Sequence, residues 1–385
     1  MKYPKTDLDF ARHIIEFDPR NRSTYAEWTE IEPILQERAK EVPWPSHLAP
    51  KPKPYSENPD SSDPLPEAEY LVVTWTTAEN HALADMLTPG YSKTSWYNYD
   101  RFFDSHYKHN IQEGAPSLEK NRLGSFFPIS IGEKSVLCFK SELHMDTDGL
   151  KLPIRDLWKQ IIQEVKPKLV VTTGTAGAIG SDIKVGDVII GRKSKFDCDK
   201  MFVDAPFNKQ QYTNKTPVPI TYLQDVVDSL IPVNAKRLPN DSQNPKIYYD
   251  LSPSSQPPII VTTDFFAFDN TTDTYKLQGL GSAVENDDAT LGLSCQDMQS
   301  EAPNWFAVRN ASDPQMDGSL PLQEQKKLAS QTYEKYGYWT TIDSAITTWA
   351  VIAGYKRLKR GAKPSPRYEL AGAMPYTPPP SIPPT

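Results

Sequence analysis

This sequence contains little glycine and very little cysteine for its length of 385 residues. It has 18 glycines against 36 prolines, although average proteins contain about 7% glycine and about 5% proline. Glycine does not recur at every third position, which excludes a collagen-like repeat. Its cysteines, Cys138, Cys198 and Cys295, are far apart, which excludes a disulfide framework and a C-x-x-C metal site. So few cysteines are typical of a reducing compartment.

The sequence also lacks an excess of basic residues and any long apolar run. Its net charge is −7, so we expect no broad basic face for nucleic acid, although a local basic pocket stays open. No run reaches the roughly 18 apolar residues of a membrane span, and residues 1–17 lack the apolar region of a secretory signal. We therefore expect a cytoplasmic protein without membrane or nucleic-acid partners. Its hydrophobic content of 38% and aromatic content of 11% are enough for a sizeable core.

The prolines are concentrated outside one part of the chain. Segments 1–66, 201–258 and 364–385 hold 11, 9 and 8 of them. Because proline disfavours helix interiors and central strands, these segments are predicted to surround the main fold. We interpret 1–66 as a helical and proline-rich extension, helical over 1–42, and 364–385 as an extended or disordered tail. The domain then spans 67–363, with 201–258 as an insertion that could form a flap.

Within this domain, short apolar runs alternate with helical patterns, which favours an α/β sheet. The strands are predicted at 70–75, 136–140, 168–173, 185–190, 259–263 and 305–309. The helices are predicted at 78–87, 152–165, 287–299, 322–336 and 341–357.

The most specific motif is the stretch VVTTGTAGAIG at 170–180, followed by DIKVGDVII at 182–190. A strand that enters a Gly-x-x-Gly turn lets a ligand approach the backbone closely, because glycine has no Cβ. The motif is neither a Walker loop, since no Gly-Lys-Ser/Thr follows, nor a dinucleotide fingerprint. Taken alone, it is equally compatible with a plain tight turn.

Together, the two halves of this motif resemble the purine nucleoside phosphorylase / uridine phosphorylase superfamily. Its members carry a T-G-[ST]-A-G-G turn followed by an L-x-V-G-D-V strand. The resemblance covers 67–200 and 259–357, and within the superfamily it is strongest to the methylthioadenosine / S-adenosylhomocysteine nucleosidases. It implies a three-layer α/β/α fold with a twisted mixed sheet, and a homo-oligomer that needs no metal or organic cofactor. It also implies that the substrate borders Gly174, Thr175, Ala176 and Gly177.

The activity implied by the resemblance is hydrolysis of the N-glycosidic bond of a purine nucleoside or nucleotide, adenine favoured, with release of the free base. The family strand V-R-x-x-S-D ends in an aspartate beside the purine N7, and residues 308–313 match it. A purine leaves readily only when an acid protonates it as the sugar becomes an oxocarbenium ion. Asp313 matches this acid, with a pKa that burial would have to raise. Arg309 could contact a water, a phosphate or a ribose oxygen. From the residues alone, Asp313 can equally close a turn.

Two further positions match the water side of a nucleosidase. Glu79 follows the first predicted strand, where hydrolytic members have a glutamate that activates the attacking water. Its alternative is an acidic first-turn residue favoured by the helix dipole. Ser141 matches a serine that helps to hold the water. In this loop, Glu142 and His144 replace both glycines of the family's S-G-x-G, and the extra carboxylate disfavours phosphate.

The remaining matches concern the sugar and the base. Asp287 matches the acid that accepts hydrogen bonds from the ribose hydroxyls, with Asp288 as a competitor shifted by one residue. Asn286 replaces the methionine that packs on the sugar, which makes this wall more polar. The alternative for this segment is a solvated helix N-terminus. Phe266 matches the aromatic ring that stacks on the purine, although a core position is its alternative.

Three functions stay open at this point: hydrolysis, phosphate-dependent phosphorolysis, and nucleotide binding without turnover. Arg192, Lys193 and Lys195 leave the strand predicted at 185–190 and could bind the phosphate groups of a nucleotide. The more ordinary interpretation of these cations is a solvated surface loop.

Overall fold

The computed structural model describes residues 7–21, 39–250, 254 and 256–356. The predicted helix over 1–42 is therefore described only in part, and the predicted tail 364–385 lies outside the described residues. The described residues up to Gly354 form one compact unit.

The strands of this unit form one mixed sheet in the order β1-β4-β5-β2-β6-β12-β11-β8-β9. Strand β13 pairs with β6 and β7, β10 pairs with β7, and β3 pairs with β4. Strands β5, β2, β6 and β13 run parallel at the centre. The bounds are β1 Pro50–Pro52, β2 Tyr70–Thr74, β3 Tyr97–Tyr99, β4 Gly124–Ile131, β5 Lys134–Ser141, β6 Leu169–Ala178, β7 Val188–Gly191, β8 Lys193–Phe196, β9 Gln211–Thr213, β10 Ile247–Tyr248, β11 Ile260–Thr262, β12 Ala283–Glu285 and β13 Asn304–Asp313.

Helices cover the sheet in two layers. The bounds are α1 Asp7–Glu16, α2 Thr77–Leu87, α3 Pro116–Lys120, α4 Pro153–Val165, α5 Leu223–Asp225, α6 Asp288–Met298 and α7 Leu322–Gly354. Helices α2 and α7 pack against each other, and so do α4 and α6. Helix α4 begins at Pro153, whose fixed φ suits a first turn, and it buries an apolar stripe that includes Leu157, Trp158 and Ile161. The predicted α/β class, with a mixed sheet between helices, is confirmed.

The prediction of two helices over 322–336 and 341–357 is wrong, since α7 is continuous. Gly337 lies between the two predicted helices, and glycine in a helix costs only about 1 kcal/mol. The segment contains no proline, and a Cβ at Gly337 would lie 3.0 Å from the ring of Tyr333. The backbone at Gly337 therefore packs closely against the Tyr333 ring, which leaves little room for a side chain at this position.

The predicted turn at Gly174–Gly177 is also wrong, because β6 continues through these residues to Ala178. Strand β13 pairs with β6 in parallel from Asn304 to Asp313, and β12 pairs with its last residues. Pairing with β13 keeps the glycine segment extended, β12 joins the other side at Gly177, and a register shift between Ala311 and Asp313 marks its end.

The proline-rich segments are part of the folded unit where the structure describes them. Pro50–Pro52 forms the edge strand β1, a position that tolerates residues without a backbone donor. The insertion 201–258 supplies β9 and β10, and its short helical turns pack against α7. It therefore extends the sheet, contrary to the flap interpretation. No helix among the described residues is long and apolar enough to cross a membrane.

Candidate active site

A cleft of about 730 Å³, a volume that includes its open mouth, lies beside the carboxyl ends of β2, β6 and β13. Because side chains at these ends of parallel strands meet at one edge, this is where an α/β sheet binds ligands. Nine of the eleven predicted site residues line the cleft. The two exceptions are Ser141 and Gly174.

Asp313 lies at the end of β13 and is buried in the cleft wall. Burial raises the pKa of its carboxyl to about 7, although a hydrogen bond from Ser312 opposes this shift. The Ser312 hydroxyl donates this bond to Oδ1 over 2.9 Å. On the other side, a Cβ at Gly177 would lie 3.0 Å from Oδ2, so glycine leaves room there. This carboxyl keeps its proton close to neutral pH and can donate it.

Glu79 is fixed by a capping box at the start of α2, in which Thr76 Oγ1 accepts from the Glu79 amide. Its carboxylate accepts five hydrogen bonds. To Oε2 come the Thr74 hydroxyl at 2.9 Å and the amides of Trp75 and Thr76 at 3.0 and 2.9 Å. To Oε1 come the amide and the hydroxyl of Thr175, each at 2.7 Å. A carboxylate offers about four lone-pair sites, so the protein itself saturates both oxygens.

The charge of Glu79 is stabilised as well. Burial pushes the pKa of this carboxyl upward, but Arg309 and the hydrogen bonds outweigh burial and lower it overall. Glu79 is therefore an anion in the cleft wall. Gly174 does not line the cleft, because it packs against this carboxylate: a Cβ at Gly174 would collide with it. Gly174 thus serves the site by leaving room for Glu79.

This packing gives a prediction for Gly174→Ala. The residue has φ +152°, a conformation that side chains rarely adopt, and the added methyl group would displace Glu79. We expect a loss of about 2–4 kcal/mol in the free energy of unfolding, from backbone strain and overpacking together. Gly90→Ala is the matched control, since Gly90 has φ +85° but nothing within 4 Å of an added Cβ, and should cost only about 1–2 kcal/mol. Urea unfolding measures both, and equal losses would contradict the packing argument.

Arg309 is buried between two carboxylates and lines the cleft. Its Nε and Nη2 donate to Asp288 over 2.8 and 2.7 Å, and Nη2 also donates to Glu285 over 3.2 Å. Burial opposes its charge, but Asp288 and Glu285 raise the pKa of the guanidinium well above its ordinary value. The guanidinium also lies 4.8 Å from the ring centroid of Trp75. Of the two candidate acids, Asp288 is paired with Arg309, and Asp287 is the one that lines the cleft.

Asp287 lines the cleft and holds the loop that follows β5. Its Oδ1 accepts from the Met145 amide over 2.8 Å, and its Oδ2 lies 3.3 Å from His144 Nδ1. Ser141 is the last residue of β5, just before this loop, and does not line the cleft. Its hydroxyl donates to the Leu143 carbonyl over 3.0 Å and accepts from the Leu143 amide over 3.1 Å. The hydroxyl is therefore used within the loop.

The altered loop has a physical reason. Glu142, which stands where the family pattern has glycine, is buried and pairs with Arg122 at 2.7 Å and with Lys140. Burial opposes its charge, but both cations lower the pKa of Glu142 to about 2. This ion pair anchors the loop and brings His144 and Asp146 to the cleft. Sequence reasoning gave neither residue a role; the signal for His144 was a polar residue at a glycine position of the family pattern, and Asp146 had no such signal.

Phe266 lines the cleft and meets Phe10 edge-on, with ring centroids 4.7 Å apart. The side chain of Asn286 fixes the segment that leads to Phe266. Its Nδ2 donates to the carbonyls of Thr263 and Phe265 over 2.8 and 3.1 Å. The amide that was expected to face the sugar is thus committed to the backbone, although Asn286 still lines the cleft.

Helix α1 closes one side of the cleft, a role that the sequence did not indicate. Ala11, Ile14 and Ile15 line the cleft, and the Tyr333 hydroxyl donates to the Ile14 carbonyl over 3.1 Å. The same hydroxyl lies 3.0 Å from Thr76 Oγ1. Helix α1 is therefore tied to both α7 and α2, and it adds an apolar wall.

The predicted basic loop at 192–195 is a strand instead. Lys193 and Lys195 belong to β8, which pairs with β11 and β9, and Arg192 pairs with Asp250. None of these three cations lines the cleft. Ladder pairing extends the segment away from the cleft, so it provides no phosphate site there.

The similar solved structures include two nucleosidases and a futalosine hydrolase. No family model and no curated protein matches this chain. The methylthioadenosine/S-adenosylhomocysteine nucleosidase of Helicobacter pylori is 14% identical, aligned over 74% of this chain and 99% of its own, with a TM-score of 0.45. The corresponding nucleosidase of Neisseria meningitidis is 15% identical over 74% and 98%, with a TM-score of 0.44. Futalosine hydrolase of Helicobacter pylori is 14% identical over 74% and 98%, with a TM-score of 0.44. At these values the likeness says nothing about activity.

Proposed function

We propose that this chain hydrolyses the N-glycosidic bond of purine nucleosides and releases the free base. The observation that carries this proposal is Asp313, a buried carboxyl in the cleft wall with a pKa of about 7. Such a group can protonate a leaving purine at N7, so that the base does not depart as an anion. A carboxylate with an ordinary pKa would have lost its proton long before neutral pH.

The other walls suit the rest of a nucleoside. Phe266 offers an aromatic face to the base, and such stacking contributes about 1–3 kcal/mol. Asp287 keeps lone pairs on both oxygens beyond its two loop contacts, and it can accept hydrogen bonds from ribose hydroxyls. The anionic Glu79 favours the positive charge that develops on the sugar as the bond breaks.

The charge of the cleft favours water over phosphate as the nucleophile. Carboxyl groups of Glu79, Asp146, Glu285 and Asp287 line it, whereas Arg309 is the one Lys or Arg side chain that lines it in the described part of the chain. The fork of Arg309 is already shared between Glu285 and Asp288. A phosphate dianion would therefore meet the carboxylate of Glu79 and a guanidinium that is already paired.

The same distribution favours a nucleoside over a nucleotide. A 5′-phosphate would need cations, and the candidate cations at 192–195 lie outside the cleft. The apolar face of α1, with Ile14 and Ile15, suits uncharged groups. Adenine is the proposed base because the resembling branch acts on adenine nucleosides.

We expect adenine to be released from adenosine or methylthioadenosine at rates that do not depend on phosphate. The assay incubates the purified protein with adenosine, methylthioadenosine, AMP or ATP, with and without inorganic phosphate, and measures adenine by chromatography. Release that requires phosphate would identify a phosphorylase. Binding without release at high enzyme concentration would identify a binding module, and release from AMP or ATP alone would contradict the nucleoside proposal. Size-exclusion chromatography tests the predicted homo-oligomer.

A further inference from the structure

His144 is a cleft residue that the proposed roles leave unused. It lines the cleft with a side chain that is only 2% exposed. Its Nε2 is buried and has no hydrogen-bond partner among the described residues. An unpaired buried polar atom costs about 1–3 kcal/mol, so native proteins keep few of them. In a cleft wall, such an atom marks a place where bound water or substrate completes the site.

Asp287 determines which nitrogen of His144 is free. A carboxylate can only accept, so the 3.3 Å contact with Asp287 Oδ2 places the proton on Nδ1 and leaves a lone pair on Nε2. Both partners are held in place by the same loop. The Met145 amide donates to Asp287 Oδ1 over 2.8 Å, and the His144 amide donates to Asp148 over 2.7 Å. This arrangement is a preorganised histidine–aspartate pair.

The neighbouring Asp146 adds a second unpartnered atom to the same stretch of wall. Its Oδ1 is buried and has no hydrogen-bond partner in the part of the chain that the structure describes. Burial and the nearby Asp287 raise the pKa of this carboxyl to about 7. Water can donate a hydrogen bond to either atom, whereas an anion would meet the carboxyls of Asp146 and Asp287.

Glu79 is the competing proton acceptor, and its geometry is less suitable. All of its lone-pair sites are used by five protein donors, and its pKa is lowered, which weakens it as a base. Water could bind there only by displacing one of these donors. The unpartnered nitrogen of His144 requires no such displacement.

We propose that His144 is the catalytic base of the hydrolysis, with Asp287 as the residue that positions it. This inference rests on the proposed function. Water forms a bond to C1′ of the ribose and gives one proton to His144 Nε2. The C1′–N9 bond breaks, its electron pair goes to the purine, and Asp313 supplies a proton to N7. His144 then returns its proton to solvent, and Asp313 takes one up.

Several charged groups set the protonation of His144. Burial, the largest effect, opposes its charge, and so does Lys140 on β5. Asp287, just before α6, and Asp146 in the loop of His144 outweigh them, and the pKa of the ring is raised above its ordinary value. Because only the neutral ring accepts a proton, activity should fall as the pH drops through this raised pKa. With the loss of the Asp313 proton above about 7, kcat should follow a narrow bell around neutral pH.

His144→Gln tests the proposal, with His81→Gln as the matched control. His81 is also buried and paired with an aspartate, since its Nε2 lies 2.9 Å from Asp18, but it does not line the cleft. We expect His144→Gln to lower kcat about 10²-fold or more, to leave KM within about threefold, and to remove the acidic limb of the pH profile. In His144→Ala, added imidazole should restore part of kcat. His81→Gln should keep kcat within about threefold.

Three results would overturn the assignment. They are a kcat of His144→Gln close to the wild-type value, a rise in KM at constant kcat, and a wild-type profile without an acidic limb. The last measurement needs no variant, so it decides the question even if both His144 variants fail to fold. If the wild-type protein releases no base from any nucleoside, the proposed function itself fails, which this assay separates from failure of the His144 assignment.

Discussion

The Asp313→Asn variant is expected to lose about 10²–10⁴-fold in kcat for base release while it keeps its fold. Asparagine has the same shape as a protonated aspartate, but it cannot supply a proton to the leaving purine. The burial that raises the pKa of Asp313 to about 7 makes the protonated form the better match to this site. The substitution therefore removes the chemistry and little of the packing.

The matched control is Asp343→Asn. Asp343 is a buried carboxyl in α7 whose pKa burial also raises well above its ordinary value, but it does not line the cleft. This variant should keep base release within about twofold of the wild-type protein. An Asp313→Asn variant with more than a tenth of wild-type kcat would contradict the proposed mechanism.

The raised pKa of Asp313 also fixes the sign of two pH effects. Asp313 is protonated below about pH 7 and loses its proton above it, so base release should fall roughly tenfold per pH unit well above pH 7. The residual activity of Asp313→Asn should lack this alkaline decline. The folded state binds this proton more tightly than the unfolded state, whose pKa is near 3.8. Its contribution to the free energy of unfolding is therefore complete below 3.8 and is lost as the pH rises through about 7. Above neutral pH, Asp313→Asn should be at least as stable as the wild-type protein, which urea unfolding measures.

The largest loss of stability is expected for Arg309→Met. Methionine fills similar volume but leaves Asp288, Glu285 and Glu79 buried without their shared cation. Removing one partner of a buried ion pair costs about 3–5 kcal/mol, because the other charge stays desolvated. Urea unfolding at neutral pH measures the loss.

Arg155→Met provides the matched control. Arg155 makes two hydrogen bonds of 2.8 Å to Asp297, but this pair is partly exposed, so its removal should cost less than about 1 kcal/mol. A similar loss in both variants would contradict the assigned role of burial.

Acid should reduce the difference between Arg309→Met and the wild-type protein. Arg309 helps to lower the pKa of Glu79 below 4.5, so the wild-type protein gains stability from this carboxylate above 4.5 and loses it as the pH falls through the lowered value. The variant lacks the part of this gain that Arg309 provides, so the two unfolding curves should approach each other below about pH 4.5. If the difference in free energy of unfolding between the two proteins stayed the same below pH 4.5, the loss of the Arg309 charge would not be the cause of the destabilisation.

Much of the cleft could be predicted from sequence because its polar residues follow strands directly. Glu79 comes five residues after the end of β2, and Asp313 ends β13. Periodicity finds such strands, and parallel pairing brings their carboxyl ends together. The family resemblance selected the site residues, and nine of the eleven line one cleft, although they come from distant parts of the chain.

The errors share a different cause. The Ser141 hydroxyl bonds to Leu143 in the loop after β5, the Glu142–Arg122 pair anchors this loop, and Tyr333 holds α1 over the cleft. The last two contacts join residues that are distant in sequence, which no local pattern encodes, and the first is a contact within two residues that the family comparison did not indicate. Likewise, residues 192–195 were predicted as a basic loop because their own sequence does not show that β8 pairs with β9 and β11.

The sequence by itself determined the α/β class and the positions of six strands, since these depend on the spacing of neighbouring side chains, and the family resemblance supplied the polar residues near their ends. Only the tertiary structure decided which of these groups hold protons and which atoms are free. Burial raises the pKa of Asp313. Arg309 pairs with Asp288, so Asp287 is the acid that contacts His144. That contact is at Nδ1, and Nε2 of His144 has no partner among the described residues. Desolvation and ion pairing act between residues far apart in the chain, so they exist only once the chain has folded.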